Sequence, residues 1–277
     1  VTGAARATGG YQGWRDDWLA ARPEWRLLEV FHPAAREPAA GVLEMLAQEW
    51  LDAGLSIREP DVARRKLAWW LDEIAELGSG RARHPLTTAL ADGPGLRDAA
   101  PILARAVGSA LALVEVEAVA STASLVDATV PLAAALDEVG VALGIWRSAG
   151  SDRAPALAAA LLGDLLRDWP RFARPERGLV PLALLARHGV DRVAAQSGND
   201  AAACDALLRD LAGELRGTVG RGHRGDLAVG RLVIAGAWLD AVARDPRGAR
   251  EGRAAPPRLQ LLWAVWRAAR GARWAGR

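Results

Sequence analysis

Apolar residues between positions 60 and 77 recur at spacings of three and four: Leu67, Trp70, Leu71, Ile74 and Leu77. That period places them on one helical face, so a helix with a single buried stripe is predicted over 60–77. Pro60 suits its first turn, Asp61 adds negative charge there, and Gly78 suits its exit. The same reasoning predicts helices over 14–21, 35–55, 86–92, 98–122, 125–146, 154–168, 181–187, 201–216, 227–244 and 257–272. Breaks are expected where Gly and Pro gather, at 78–85, 93–95, 150–155, 170–181, 197–200, 217–225 and 245–257. Strand patterns are nearly absent. The expectation is an all-α chain, with residues 1–13 as a flexible tail and 14–277 as a single domain.

Composition narrows the function classes. Hydrophobic residues make up 51% and charged residues 25% of the 277, which is globular and not disordered. The formal net charge is only +2 despite a pI near 9.3, so nucleic-acid binding is not expected. One cysteine, Cys204, precludes a disulfide within the chain. No apolar run reads as a secretory signal or a membrane span, so the expected location is cytoplasmic.

Two stretches carry a family resemblance. The first is Lys66-Leu-Ala-Trp-Trp-Leu-Asp-Glu-Ile-Ala-Glu-Leu77, followed by His84-Pro-Leu-Thr-Thr-Ala-Leu90. The second is Leu165-Leu-Arg-Asp-Trp-Pro-Arg-Phe-Ala-Arg-Pro-Glu-Arg-Gly-Leu-Val-Pro181, followed by Leu184-Leu-Ala-Arg-His-Gly-Val190. Between them lies Val139-Gly-Val-Ala-Leu-Gly144, and upstream Phe31-His-Pro-Ala-Ala-Arg36 leads into the helix that ends at Leu55. In this order they resemble segments of the squalene/phytoene synthase family across nearly the whole chain. The resemblance implies an isoprenoid-synthase-like helical bundle with a central cavity. In active members two Asp-rich helices face each other across that cavity and hold Mg²⁺ against the diphosphates of two prenyl substrates. Carboxylates at i and i+4 share a helical face, and Mg²⁺ prefers oxygen donors completed by phosphate.

The chain departs from that pattern where the chemistry sits. Leu51 and Leu55 occupy the first pair of aspartate positions, with Asp52 the acid left there and Gln48 in place of an arginine. In the second motif Asp168 matches, but the position four residues on is Phe172, after Pro170, which is expected to end or kink the helix. Leu161, Asp164 and Leu179 replace a family Gln, Asn and Tyr, while Arg167, Arg177 and Pro181 match. By resemblance, Gln48, Asp52, Arg167 and Arg177 are candidate substrate-binding residues. Asp164 and Asp168 form an i, i+4 pair one turn from the family's own, and are the candidate Mg²⁺ ligands. The blander reading pairs them with Arg153, Arg167 or Arg171, and is the one favoured.

Other signals are read as structural. Trp69 and Trp70 read as packing residues. Gly220-Arg-Gly-His-Arg-Gly225 fits a dinucleotide pattern but follows no strand, and reads as a loop. His32, His84, His188 and His223 lack metal-ligand spacing. His188-Gly189 reads as a helix exit and His84-Pro85 as a helix start. Cys204 reads as a small buried residue. The C-terminal segment carries Trp263, Trp266 and Trp274 among Arg267, Arg270 and Arg273. It can be read as a membrane-surface helix or, as preferred, as a last bundle helix with Leu261, Leu262, Val265 and Trp266 inward.

The functional expectation is a non-catalytic relative. It would act as an isoprenoid- or lipid-binding protein, or as a protein-interaction scaffold with a possible peripheral membrane contact. Family members without these motifs include an assembly factor for respiratory complex I. No cofactor is then expected. The alternative is a divergent Mg²⁺-dependent prenyl transferase using Asp164 and Asp168.

Overall fold

Twelve of the eighteen residues of the helix Pro38–Leu55 are buried, including Trp50, Leu46, Leu51 and Leu55. A helix buried over two thirds of its length belongs in the middle of a core, and this one packs against α-helices on several sides. The computed structural model describes residues 10–91, 93, 95–147, 153–220 and 226–274, and among these there is no strand. In chain order the helices are α1 (Gly10–Ala21), α2 (Trp25–Phe31), α3 (Pro38–Leu55), α4 (Pro60–Gly78), α5 (Pro85–Thr88), α6 (Leu96–Leu113), α7 (Thr122–Ala142), α8 (Ala154–Leu165), α9 (Trp169–Phe172), α10 (Leu182–His188), α11 (Arg192–Ser197), α12 (Ala201–Val219), α13 (Leu227–Arg244), α14 (Pro246–Arg250) and α15 (Arg258–Trp274).

The helix starts follow local chemistry. Proline occupies the first turn of α3, α4, α5, α8, α9 and α14, where its missing N–H costs nothing. Ser121, Asp191, Asp200, Asp226 and Asp245 cap the starts of α7, α11, α12, α13 and α14 through their side chains. Helix α8 is built of small residues, with Ala156, Ala158, Ala159, Ala160 and Gly163 buried between α7, α12 and α13. A Cβ on Gly163 would sit 3.2 Å from the Leu239 side chain, so the close approach of α8 and α13 depends on that glycine.

The structure corrects several expectations. Residues 10–13, assigned to a tail, belong to α1, and the Tyr11 hydroxyl donates to the Pro38 carbonyl at 3.4 Å. The helix expected to run to 122 stops at Leu113. Beyond it, Val119 and Ala120 pair with the backbone after Arg177: Leu182 N–H donates to Val119 O, and Ala183 N–H to Ala120 O, both at 3.0 Å. On α15, Leu261, Val265, Ala268 and Ala269 face α2 and α13. Leu262 and Trp266, expected inward, lie one step around the helix and are exposed. Of the expected glycine-rich loop over 220–225, Gly220 caps the end of α12 and the rest, His223 included, lies outside the described residues. Among the described residues no helix is long and apolar enough to cross a membrane.

Candidate functional site

A cavity of about 260 Å³ opens where α1, α2, α3, α8, α9 and α13 converge. Its apolar wall includes Trp18, Trp25, Leu28, Leu51, Leu161 and Phe172. Its polar wall holds four arginines, Arg22, Arg167, Arg171 and Arg231, against five acids, Glu24, Glu44, Asp52, Asp164 and Asp168. The two segments that depart from the family's Asp-rich pattern therefore do meet, α3 supplying Gln48, Leu51 and Asp52, and the α8–α9 segment supplying Asp164, Arg167, Asp168 and Phe172; the stretch 66–90 lines no part of this cavity.

Four of the acids are paired one to one with the arginines. Arg231 donates to Glu44 at 2.6 Å, and Arg167 lies 2.6 Å from Glu24. Arg171 donates to Asp52 at 2.5 Å, and Arg22 lies 3.5 Å from Asp164. Asp164 is shared further, with Arg167 at 3.2 Å and Arg231 at 3.8 Å. Burial pushes the Asp164 carboxyl upward, but the three guanidinium groups outweigh it and hold the group below the usual carboxylate range. At Glu44 the balance is reversed: burial outweighs the pull of Arg231 and holds the carboxyl above its ordinary value. Gln48 Oε1 accepts from Trp18 Nε1 at 3.2 Å and from Arg22 Nε at 3.0 Å. Arg167 also stacks on Trp238, 4.0 Å from the ring centre, and its Nε is buried without an acceptor among the described residues.

This donor set does not fit Mg²⁺. The ion needs carboxylate oxygens that are free to turn toward it, and here those of Glu24, Glu44, Asp52 and Asp164 are turned toward guanidinium groups. The i, i+4 geometry of Asp164 and Asp168 also lapses. Helix α8 ends at Leu165, residues 166–168 form a 3₁₀ turn, and α9 begins anew at Trp169-Pro170, so the two acids do not share one continuous α-helical face. Asp168 is exposed. Among the described residues no group of three or more His, Cys, Asp or Glu is arranged to hold a metal ion.

Arg177, a candidate substrate residue, lies elsewhere. It is buried and donates to the carbonyls of Gly54 at 2.7 Å, Leu55 at 3.2 Å, and Leu113 and Val114 at 3.4 Å each. These carbonyls terminate α3 and α6 and have no partner within their own helices. Leu55 is fully buried and does not line the cavity. Trp70 is buried, and Trp69 is exposed but stands edge-on to Trp70 and His84. His84 begins α5 and accepts from Leu86 N–H through Nδ1, and Gly189 ends α10 with φ +63°.

Sequence reasoning missed Arg22, Glu24, Glu44 and Arg231. Arg22 and Glu24 flank Pro23, in the stretch between the predicted helices 14–21 and 35–55, and Glu44 and Arg231 fall inside predicted helices, where the helical period alone does not single them out. A charge inside an otherwise apolar window, as with Glu44 between Leu43 and Met45, is the signal that marks them. No known protein-family model and no curated protein matches the sequence.

Proposed function

We propose that this chain is a non-catalytic, squalene/phytoene synthase-like protein that binds an isoprenoid or similar lipid with an acidic head group. The observation that carries the reading is the composition of the cavity: an apolar wall including Leu51, Leu161 and Phe172 opposite four arginines. A hydrocarbon chain suits the first wall. A phosphate or carboxylate suits the second, because a guanidinium can exchange a protein carboxylate for a ligand anion and bind it through two parallel N–H donors. The volume lies just below the usual range for small-molecule sites, about 300–1,000 Å³, which favours a short chain or one that leaves through the mouth. Asp164, held by three arginines, supports binding without metal.

The test is titration of the purified protein with farnesyl diphosphate, with and without Mg²⁺, followed by mass spectrometry of the recovered ligand. Saturable binding indifferent to Mg²⁺, with the ligand returned unchanged, is expected. A condensed product that forms only with Mg²⁺ and vanishes in Asp168→Ala would establish the prenyl transferase instead. Absence of binding, together with no lipid extracted from the purified protein, would leave the protein-interaction scaffold as the remaining reading.

A further inference from the structure

Helix α15 turns one apolar face to the core and a second to the outside. Leu259, Leu262, Trp263 and Trp266 are 81%, 39%, 54% and 37% exposed. Their spacing of three, one and three residues makes them a single stripe on the face away from Leu261 and Val265. Of all the described residues, only nine large hydrophobic ones are exposed, and four of them stand in this stripe.

Along the segment that carries the stripe the charge has one sign. From position 252 to the end the chain holds six arginines, at 253, 258, 267, 270, 273 and 277, and no Asp or Glu. Arg267 lies over the Trp263 ring at 4.3 Å and Arg270 over the Trp266 ring at 4.9 Å. Each tryptophan therefore carries a cation on its face. Tryptophan partitions to the boundary between hydrocarbon and water, and arginine beside it meets phosphate. An acidic protein partner would also satisfy the arginines, but it would leave two tryptophans and two leucines without an apolar counterpart unless it offered a matching groove. A bilayer supplies both components on a featureless surface.

We propose that the outer face of α15 docks the chain on an anionic lipid surface, with Leu259, Leu262, Trp263 and Trp266 in the acyl boundary and Arg258, Arg267 and Arg270 among the phosphates. The proposal stands apart from the cavity reading, since it needs no ligand in the cavity. It also places the cavity near lipid, because α15 packs on α2 and α13, which both line that cavity.

The experiment is flotation of the full chain with vesicles of phosphatidylcholine alone or mixed with phosphatidylglycerol, at low and high salt. The chain is expected to float with the mixed vesicles, to lose binding as salt rises, and to shift its tryptophan emission to the blue. Trp263→Ser and Leu259→Ser are each expected to weaken partition by about tenfold or more. Arg267→Glu and Arg270→Glu should each lower the preference for anionic vesicles about fivefold or more. These side chains are exposed, so unchanged circular dichroism is expected in all four variants. Failure of the wild type to bind phosphatidylglycerol vesicles, or binding indifferent to all four substitutions, overturns the proposal. A dimer in light scattering that Trp263→Ser dissociates would assign the stripe to a second copy of the chain and overturn it as well.

Discussion

Asp52 of α3 accepts a 2.5 Å hydrogen bond from Arg171 of α9, 119 residues further along the chain. Asp52 is the acid retained beside Leu51, and Arg171 immediately precedes Phe172. The two segments where the Asp-rich motifs would stand are thus joined by a protein ion pair, at a place where the resemblance would put a shared metal.

The behaviour of Asp164→Asn follows from that arrangement. Removing the charge leaves Arg22, Arg167 and Arg231 without a common counterion, so unfolding in urea should show a loss of about 2–4 kcal/mol. Anion affinity should move the other way. Inorganic pyrophosphate, titrated calorimetrically without Mg²⁺, should bind more tightly to the variant than to the wild type. Weaker binding would mean that the carboxylate contributes to ligand capture and would count against the metal-independent reading.

Arg177→Met should cost about 3 kcal/mol or more, because it strands carbonyls at the ends of both α3 and α6. Farnesyl diphosphate affinity, measured well below the melting temperature, should stay within about twofold, since Arg177 does not line the cavity. A selective loss of affinity without loss of stability would return it to the substrate-binding set.

Gly178 is the next residue, at φ +58°, and an added Cβ would fall 2.1 Å from the Glu117 carbonyl oxygen. Gly178→Ala therefore combines a left-handed backbone with a clash against main chain, and should lower stability by at least about 2 kcal/mol in a thermal or urea melt. Gly189→Ala, where nothing lies within 4 Å of the added atom, should cost only the conformational part, about 1 kcal/mol.

The acid limb of stability should report Glu73. Its carboxyl is buried and accepts from the Arg83 and His84 N–H groups, both at 2.8 Å, and from the Thr87 hydroxyl at 2.5 Å. Burial pushes it upward, but these three donors outweigh burial and leave it below the ordinary glutamate value. On acidification the unfolded chain therefore takes up the proton first. The stabilisation is complete above the unfolded pKa of about 4.3 and is lost as pH falls through the lower folded value. Urea midpoints across that window should fall less steeply for Glu73→Gln than for the wild type, and parallel slopes would refute the assignment.

How much of this was legible in the sequence depended on length and on distance along the chain. Helix α13 begins and ends where its pattern predicts, at Leu227 and Arg244, because eighteen residues give periodicity room to show. Helices α2, α9, α11 and α14 span four to seven residues and carry too few turns to register a period. The contact of Asp164 with Arg167 is local and was anticipated. The contacts of Arg22 with Asp164 and of Arg231 with Glu44 link residues 142 and 187 apart, and nothing in a linear pattern selects those partners. Arg177 was assigned by resemblance to the site, whereas its surroundings are helix ends that only the folded chain brings together.

Arg174 and Arg177 follow Phe172 closely, and both reach back to the end of α3, Arg174 to the Ser56 carbonyl at 3.0 Å. Two guanidinium groups thereby act as spacers that clamp the segment after α9 against the tip of α3, outside the apolar wall formed by Leu51 and Phe172. The gauge of the cavity is thus held by two struts that lie outside its lining.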